Sequence, residues 1–133
     1  MIIDSTKVTV NASQEEVFNF LKDMRNIIHL LPQDKISDFK ATENDCSFKV
    51  QGGVIISLLQ NGDEGHGKIK MKSGEKSPFP FELDVNTSIS EKGTEGYLHF
   101  DGEVNMFLKM MVEKPLTALF NYMSNELAKQ FAE

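Results

Sequence analysis

The sequence predicts an α+β fold, a meander of antiparallel strands with helical segments before and after it. Three observations lead there. Near the start, Val17, Phe20, Leu21, Met24, Ile28 and Leu31 recur at steps of three and four residues, the period of a helix with one apolar face. Near the end, Val112, Leu116, Leu119, Phe120, Met123 and Leu127 do the same. Between Ile36 and Glu103 the apolar residues mostly alternate and are interrupted by glycine-rich turns, as strands require.

The first strand closes over Lys7 to Val10. Ser13 stands three residues before Glu16, the spacing at which each side chain satisfies the other's backbone N–H, so a helix begins there. The stripe fits one helix from Gln14 to Leu31, or a first helix followed by a short second one capped within the polar interruption Asp23 to Asn26. Pro32 ends the helical stretch in both cases, because the residue before a proline is pushed out of the α region.

Hairpin signals punctuate the middle. Gly52 and Gly53 separate Cys46 to Gln51 from Val54 to Gln60, Asn61 and Gly62 open the turn before His66 to Lys72, and Lys92 and Gly93 precede Glu95 to Glu103. With Ile36 to Thr42 and Phe81 to Glu91 there are six consecutive strands and seven in all, and their short links predict antiparallel neighbours. Ser73 to Pro80, containing Pro78 and Pro80, is the longest connection and an expected exposed loop.

Alternation assigns Cys46, Phe48, Val50, Ile69, Met71, Phe81, Leu83, Val85, Ile89, Leu98 and Phe100 to the core face. Lys68, Lys70, Lys72, Glu82, Asp84, His99 and Asp101 then face water. Val54 to Leu59 is apolar on both faces, which predicts a cover on each. In the last segment the apolar residues keep to one face from Val112 onward, with Lys114, Asn121, Asn125 and Lys129 opposite. Before Pro115 they do not: Met106, Phe107, Leu108, Met110 and Met111 surround almost the whole circumference. Pro115 removes a helical hydrogen bond and is expected to kink the helix about one turn earlier. The plain expectation is that this methionine-rich stretch is buried on several sides against the first helices. The functional one makes it an adaptable wall of a ligand cavity or a partner surface.

At 133 residues the chain fits one domain burying roughly two-thirds of its unfolded surface. Its 40% hydrophobic and 26% charged residues exclude a disordered composition. No apolar run approaches the roughly 20 residues of a membrane span, and MIIDSTKV lacks the regions of a secretory signal. A cytoplasmic protein is expected. Cys46 is the only cysteine, which agrees with a reducing compartment. A net charge of −6 and a pI near 5.1 oppose attraction to nucleic acid or anionic lipid, so neither nucleic-acid binding nor membrane insertion is expected.

Candidate chemistry is sparse. Tyr97, His99, Asp101 and Glu103 share one strand face at steps of two, but only one imidazole is present and Leu98 and Phe100 claim the core side, which favours a solvated face over a metal or acid–base site. Asp63, Glu64 and His66 lie in NGDEGHG, a composition that a turn wants. His29 reads as surface, Cys46 as a small buried hydrophobe, and Lys68, Lys70 and Lys72 as a soluble strand face. No phosphate-binding loop or dinucleotide fingerprint is present, and no cofactor, metal or catalytic residue is predicted.

The segment VTVNASQEEVFNFLKDMRN followed by LLP, Val8 to Pro32, and the ending EKPLTALFNYMSNELAKQF resemble the opening and the gripping helix of the START-like, or Bet v 1-like, superfamily (SRPBCC), which includes polyketide cyclase and dehydratase-like proteins. The resemblance covers essentially the whole chain. It implies a helix-grip fold, a seven-stranded curved sheet with two short helices before it and one long helix packed across it, and a break between the first two helices near Asp23 to Asn26. It also implies an apolar cavity between sheet and last helix. From the sheet, Phe48, Val50, Ile69, Met71, Phe81, Leu83, Val85, Leu98 and Phe100 would line it; from the helix, Leu108, Met111, Val112, Leu116, Leu119, Phe120 and Met123. Such a cavity implies non-catalytic binding of a small hydrophobic molecule, a lipid, polyketide or similar. The alternatives are a cyclase or dehydratase-type enzyme and an interaction module with a filled core. The module would pair with a second copy or another protein through Met106 to Met111 or Val54 to Leu59.

Overall fold

The computed structural model describes residues 1–50 and 52–132. Gln51, assigned above to the end of a strand, lies outside the described residues. Among the described residues the order is β1 Ile2–Asp4, β2 Val8–Val10, α1 Gln14–Lys22, a 3₁₀ helix Met24–Leu30, β3 Ile36–Ala41, β4 Asp45–Val50, β5 Ile55–Asp63, β6 Lys68–Ser73, β7 Phe81–Ser90, β8 Gly93–Gly102 and α2 Met106–Gln130. The strands form one antiparallel sheet in the order β1-β8-β7-β6-β5-β4-β3, with β2 also on β8. The α+β helix-grip architecture is the expected one.

The helical start follows from its caps. The Ser13 side chain accepts from the Glu16 N–H at 3.1 Å and a Glu16 oxygen accepts from the Ser13 N–H at 3.3 Å. Asp23 breaks the stripe: it is extended, accepts from the Arg25 N–H at 3.1 Å and pairs with the Arg25 guanidinium, which holds its carboxyl below the usual carboxylate range. Restarting at Asp23 lets Val17 and Leu21 of α1, and Met24, Ile27 and Leu30 of the 3₁₀ helix, reach the same core. The final helix runs unbroken from Met106 to Gln130 across Pro115.

Five expectations are corrected. The first strand is two short ones, so the sheet has eight strands: the register on β8 shifts from Asp4↔His99 to Val8↔Gly96, and Ser5 absorbs the bulge by accepting from the Leu98 N–H through its hydroxyl at 2.8 Å. Asn61 and Gly62 do not turn the chain. Gly62, at φ 87°, makes a one-residue bulge inside β5 between Gln60↔Met71 and Asp63↔Ile69, and the turn comes later, at Gly65. The loop before β7 is not wholly exposed, since Phe79 is buried and packs edge-on to Phe81 and Phe100. Its Ser77 hydroxyl accepts from the Ser57 N–H and donates to the Ser57 carbonyl, which supplies part of the cover that doubly apolar β5 demanded.

The fourth correction concerns the methionine-rich stretch. It is exposed: Met106, Phe107, Met110 and Met111 all face outward and only Leu108 is half-buried. Among the described residues nothing covers these four side chains. Ile89, given to the core by alternation, is likewise exposed at the far end of β7.

From Val112 onward α2 packs as predicted, with Val112, Leu116, Leu119, Phe120, Met123 and Leu127 buried. It is also tied to the β1–β2 bulge, where the Ser124 hydroxyl donates to the Thr6 carbonyl at 2.7 Å and Asn121 accepts from the Thr6 N–H at 2.9 Å. Phe131 meets Phe20 edge-on at 5.6 Å. Gly93, at φ 130°, allows β8 to start beside β2; a Cβ there would stand 2.3 Å from the Val10 carbonyl oxygen.

Candidate functional site

The space between sheet and last helix is filled. Phe81 and Phe100 of the sheet stack toward Phe120 of α2, with ring centroids 5.1 Å apart at each step. Phe48, Ile69, Met71, Leu83, Val85, Leu98, Val112, Leu116 and Met123 are buried around them. Thus most of the residues expected to line a cavity sit in a packed core.

A mainly apolar concave space lies at one end of this core. A cleft of about 630 Å³ runs between Pro32, Asp34, Lys35 and Ile36, the β4 end at Val50 and Gly52, and Met111, Pro115, Ala118, Leu119 and Tyr122 of α2. Of the expected lining residues, Val50, Met111 and Leu119 border it; Leu108 is half-buried against the core. Alternation and helical period find positions that face the sheet's core. They are blind to where a helix overhangs its end, which is why Pro32, Ile36, Ala118 and Tyr122 were missed. Pro115 and Gly52 were the available signals, since both interrupt regular structure.

The cleft wall is mainly apolar, with three polar groups at its edge. Burial first, then the Glu126 and Asp34 carboxylates, push the Tyr122 hydroxyl above its ordinary range, so it is a neutral donor at pH 7. Lys35 and Asp34 supply one charge of each sign. Pro115 has no N–H, so the Met111 carbonyl beside the cleft loses its usual helical donor. Such a wall suits an apolar body with a single polar end.

The outer face carries the ionisable residues. Lys70 stands opposite Asp84, Asp84 opposite His99, and His99 opposite Asp4, a row of ionisable side chains across four strands. The His99 Nδ1 and an Asp4 carboxylate oxygen make a close contact. Asp84 is pushed above the usual carboxylate range chiefly by burial, against the pull of Lys68, Lys70 and His99, and one of its oxygens has no hydrogen-bond partner. Tyr97 and His99 lie half-buried on this outer face, and Asp101 and Glu103 are exposed, so none of the four reaches the interior. Among the described residues no three His, Cys, Asp or Glu side chains converge as metal ligands. Cys46 is buried and its thiol is pushed up to about 12 by desolvation, which leaves it protonated and unreactive. His29 and His66 are exposed beside Phe20 and Phe18.

Sheet, helix pair and long last helix together define the helix-grip fold, the shape that START-like and Bet v 1-like proteins have, and the chain has that fold. Solved structures of that shape cover nearly the whole chain. The solution structure of the KanY protein (ms6282) is 14% identical with a TM-score of 0.75, covering 98% of this chain and 97% of its own. The protein TTHA0849 from Thermus thermophilus is 15% identical with a TM-score of 0.74 over 98% and 97%. A START superfamily protein from Mycobacterium smegmatis is 12% identical with a TM-score of 0.69 over 98% and 96%. Identities this low carry the fold alone. No protein-family profile and no curated protein matches the chain. No described helix is long and apolar enough to cross a membrane.

Proposed function

We propose that the protein binds one small hydrophobic molecule, a lipid, polyketide or similar, without catalysing a reaction on it. The apolar cleft beside a closely packed aromatic core carries this reading. Its volume falls in the range of small-molecule sites, about 300–1,000 Å³. Covering about 250 Å² of apolar ligand surface contributes about 6 kcal/mol before the costs of association. Tyr122 and Lys35 at the edge would take the ligand's polar end.

Native mass spectrometry of protein purified without denaturation tests the proposal, together with binding of fatty acids, sterols and aromatic polyketides. A ligand retained or bound in a one-to-one complex is expected. Ala118 is exposed on the cleft wall, so Ala118→Trp fills the cleft without entering the core and should abolish binding with the thermal midpoint unchanged. A chain that is always unliganded and binds none of these molecules overturns the reading.

A further inference from the structure

The opening turns of α2 expose Met106, Phe107, Met110 and Met111 by 75%, 71%, 81% and 56%. At about 100° per residue the four span about 140° of the circumference, so they make one patch rather than a scatter. Four adjacent large side chains this exposed amount to about 600 Å² of mostly apolar area, the upper end of the largest patch on an ordinary monomer.

We propose that this patch pairs with its counterpart on a second copy of the chain, the two helix starts running antiparallel about a twofold axis. Three observations select that occupant. Covering the patch on both copies buries about 1,200 Å², the lower bound of a specific interface. Lys109 and Glu113 lie one turn apart on one flank of the patch and bridge each other at 3.8 Å. Antiparallel pairing turns this flank toward its counterpart, and a flank that carries one cation and one anion on each copy brings no net charge to the contact. A net charge of −6 works against the competing anionic bilayer or nucleic acid. Methionines suit such a contact because their unbranched chains repack against their own kind. Met111 belongs to both the patch and the cleft, so the paired helix lies along the cleft's mouth, but the pairing does not depend on any ligand.

Sedimentation equilibrium of the full chain, up to on the order of 100 μM, reads the association. A reversible dimer is expected. Met110→Asp should weaken it by about 100-fold or more, since a charge would be buried at its centre, while far-UV circular dichroism and the thermal midpoint stay unchanged because Met110 is exposed. Met110→Cys should form a disulfide-linked dimer under mild oxidation, because the other thiol, Cys46, is buried; a cysteine placed at Glu91, on the β7–β8 turn, should not. A chain monomeric at every concentration, or a dimer indifferent to Met110→Asp, overturns the proposal. A monomer that floats with phosphatidylcholine vesicles, and stops doing so in Met110→Asp, overturns it in favour of a lipid surface.

Discussion

Replacing Phe100 by alanine tests whether the interior is packed or is a ligand cavity in waiting. Phe100 is fully buried, with ring centroids 5.1 Å from Phe81, 5.1 Å from Phe120 and 6.3 Å from Phe79. Gly102 confirms the tightness: a Cβ there would approach the Phe100 ring to 2.8 Å. Losing the phenyl group forfeits about 2 kcal/mol of transfer free energy. A residual cavity of about 80 Å³ at about 24 cal/mol per Å³ adds about 2 kcal/mol. The expected loss is therefore about 4 kcal/mol, which at about 3–5 °C per kcal/mol lowers the thermal midpoint by about 12–20 °C. Urea unfolding of Phe100→Ala against the parent gives the free energy directly, with an unchanged m-value showing that the same surface is exposed. A cost under about 1 kcal/mol, far below the usual range for Phe→Ala, would refute the packed interior, and with it the reason for placing a ligand in the end cleft.

Further outcomes follow from individual groups. Ser13→Ala should cost about 1 kcal/mol in urea unfolding, because it removes one half of a reciprocal cap. Cys46 should resist a thiol-specific reagent in the native chain and react at once in denaturant. Because folding holds its proton up to about 12, stability should fall as pH rises through the unfolded thiol range toward 12, and the fall should be shallower in Cys46→Ala. Asp84, raised by burial, keeps its proton to a higher pH when folded than when unfolded, so its ionisation weakens the fold as pH rises through the carboxylate range. Asp84→Asn should then gain relative to the parent between acid and neutral pH, a comparison that thermal melts at both values make.

The faces of β6 and β8 were readable because period-two alternation has only two settings, and the wrong one would bury Lys70 and His99 instead of Met71 and Leu98. The capping box at Ser13 was readable because both partners are local. The role of Gly62 was not: a positive φ serves a turn or a bulge equally well, and the partner strand decides between them. Phe79 was hidden by its prolines, which mark a loop's backbone without saying where one side chain goes.

The same division holds for the site. Sequence alone determined the α+β order, the core faces of β4, β6, β8 and most of β7, and the helical face from Val112 to Leu127, since each depends on local period or residue type. Tertiary structure decided that the interior is filled by Phe81, Phe100 and Phe120, that the open space lies at Pro32, Val50 and Pro115, and that Met106 to Met111 face outward. Those outcomes depend on where separate elements end relative to one another. An apolar residue that fills a core, lines a cleft or lies bare on a surface has the same letter and the same period.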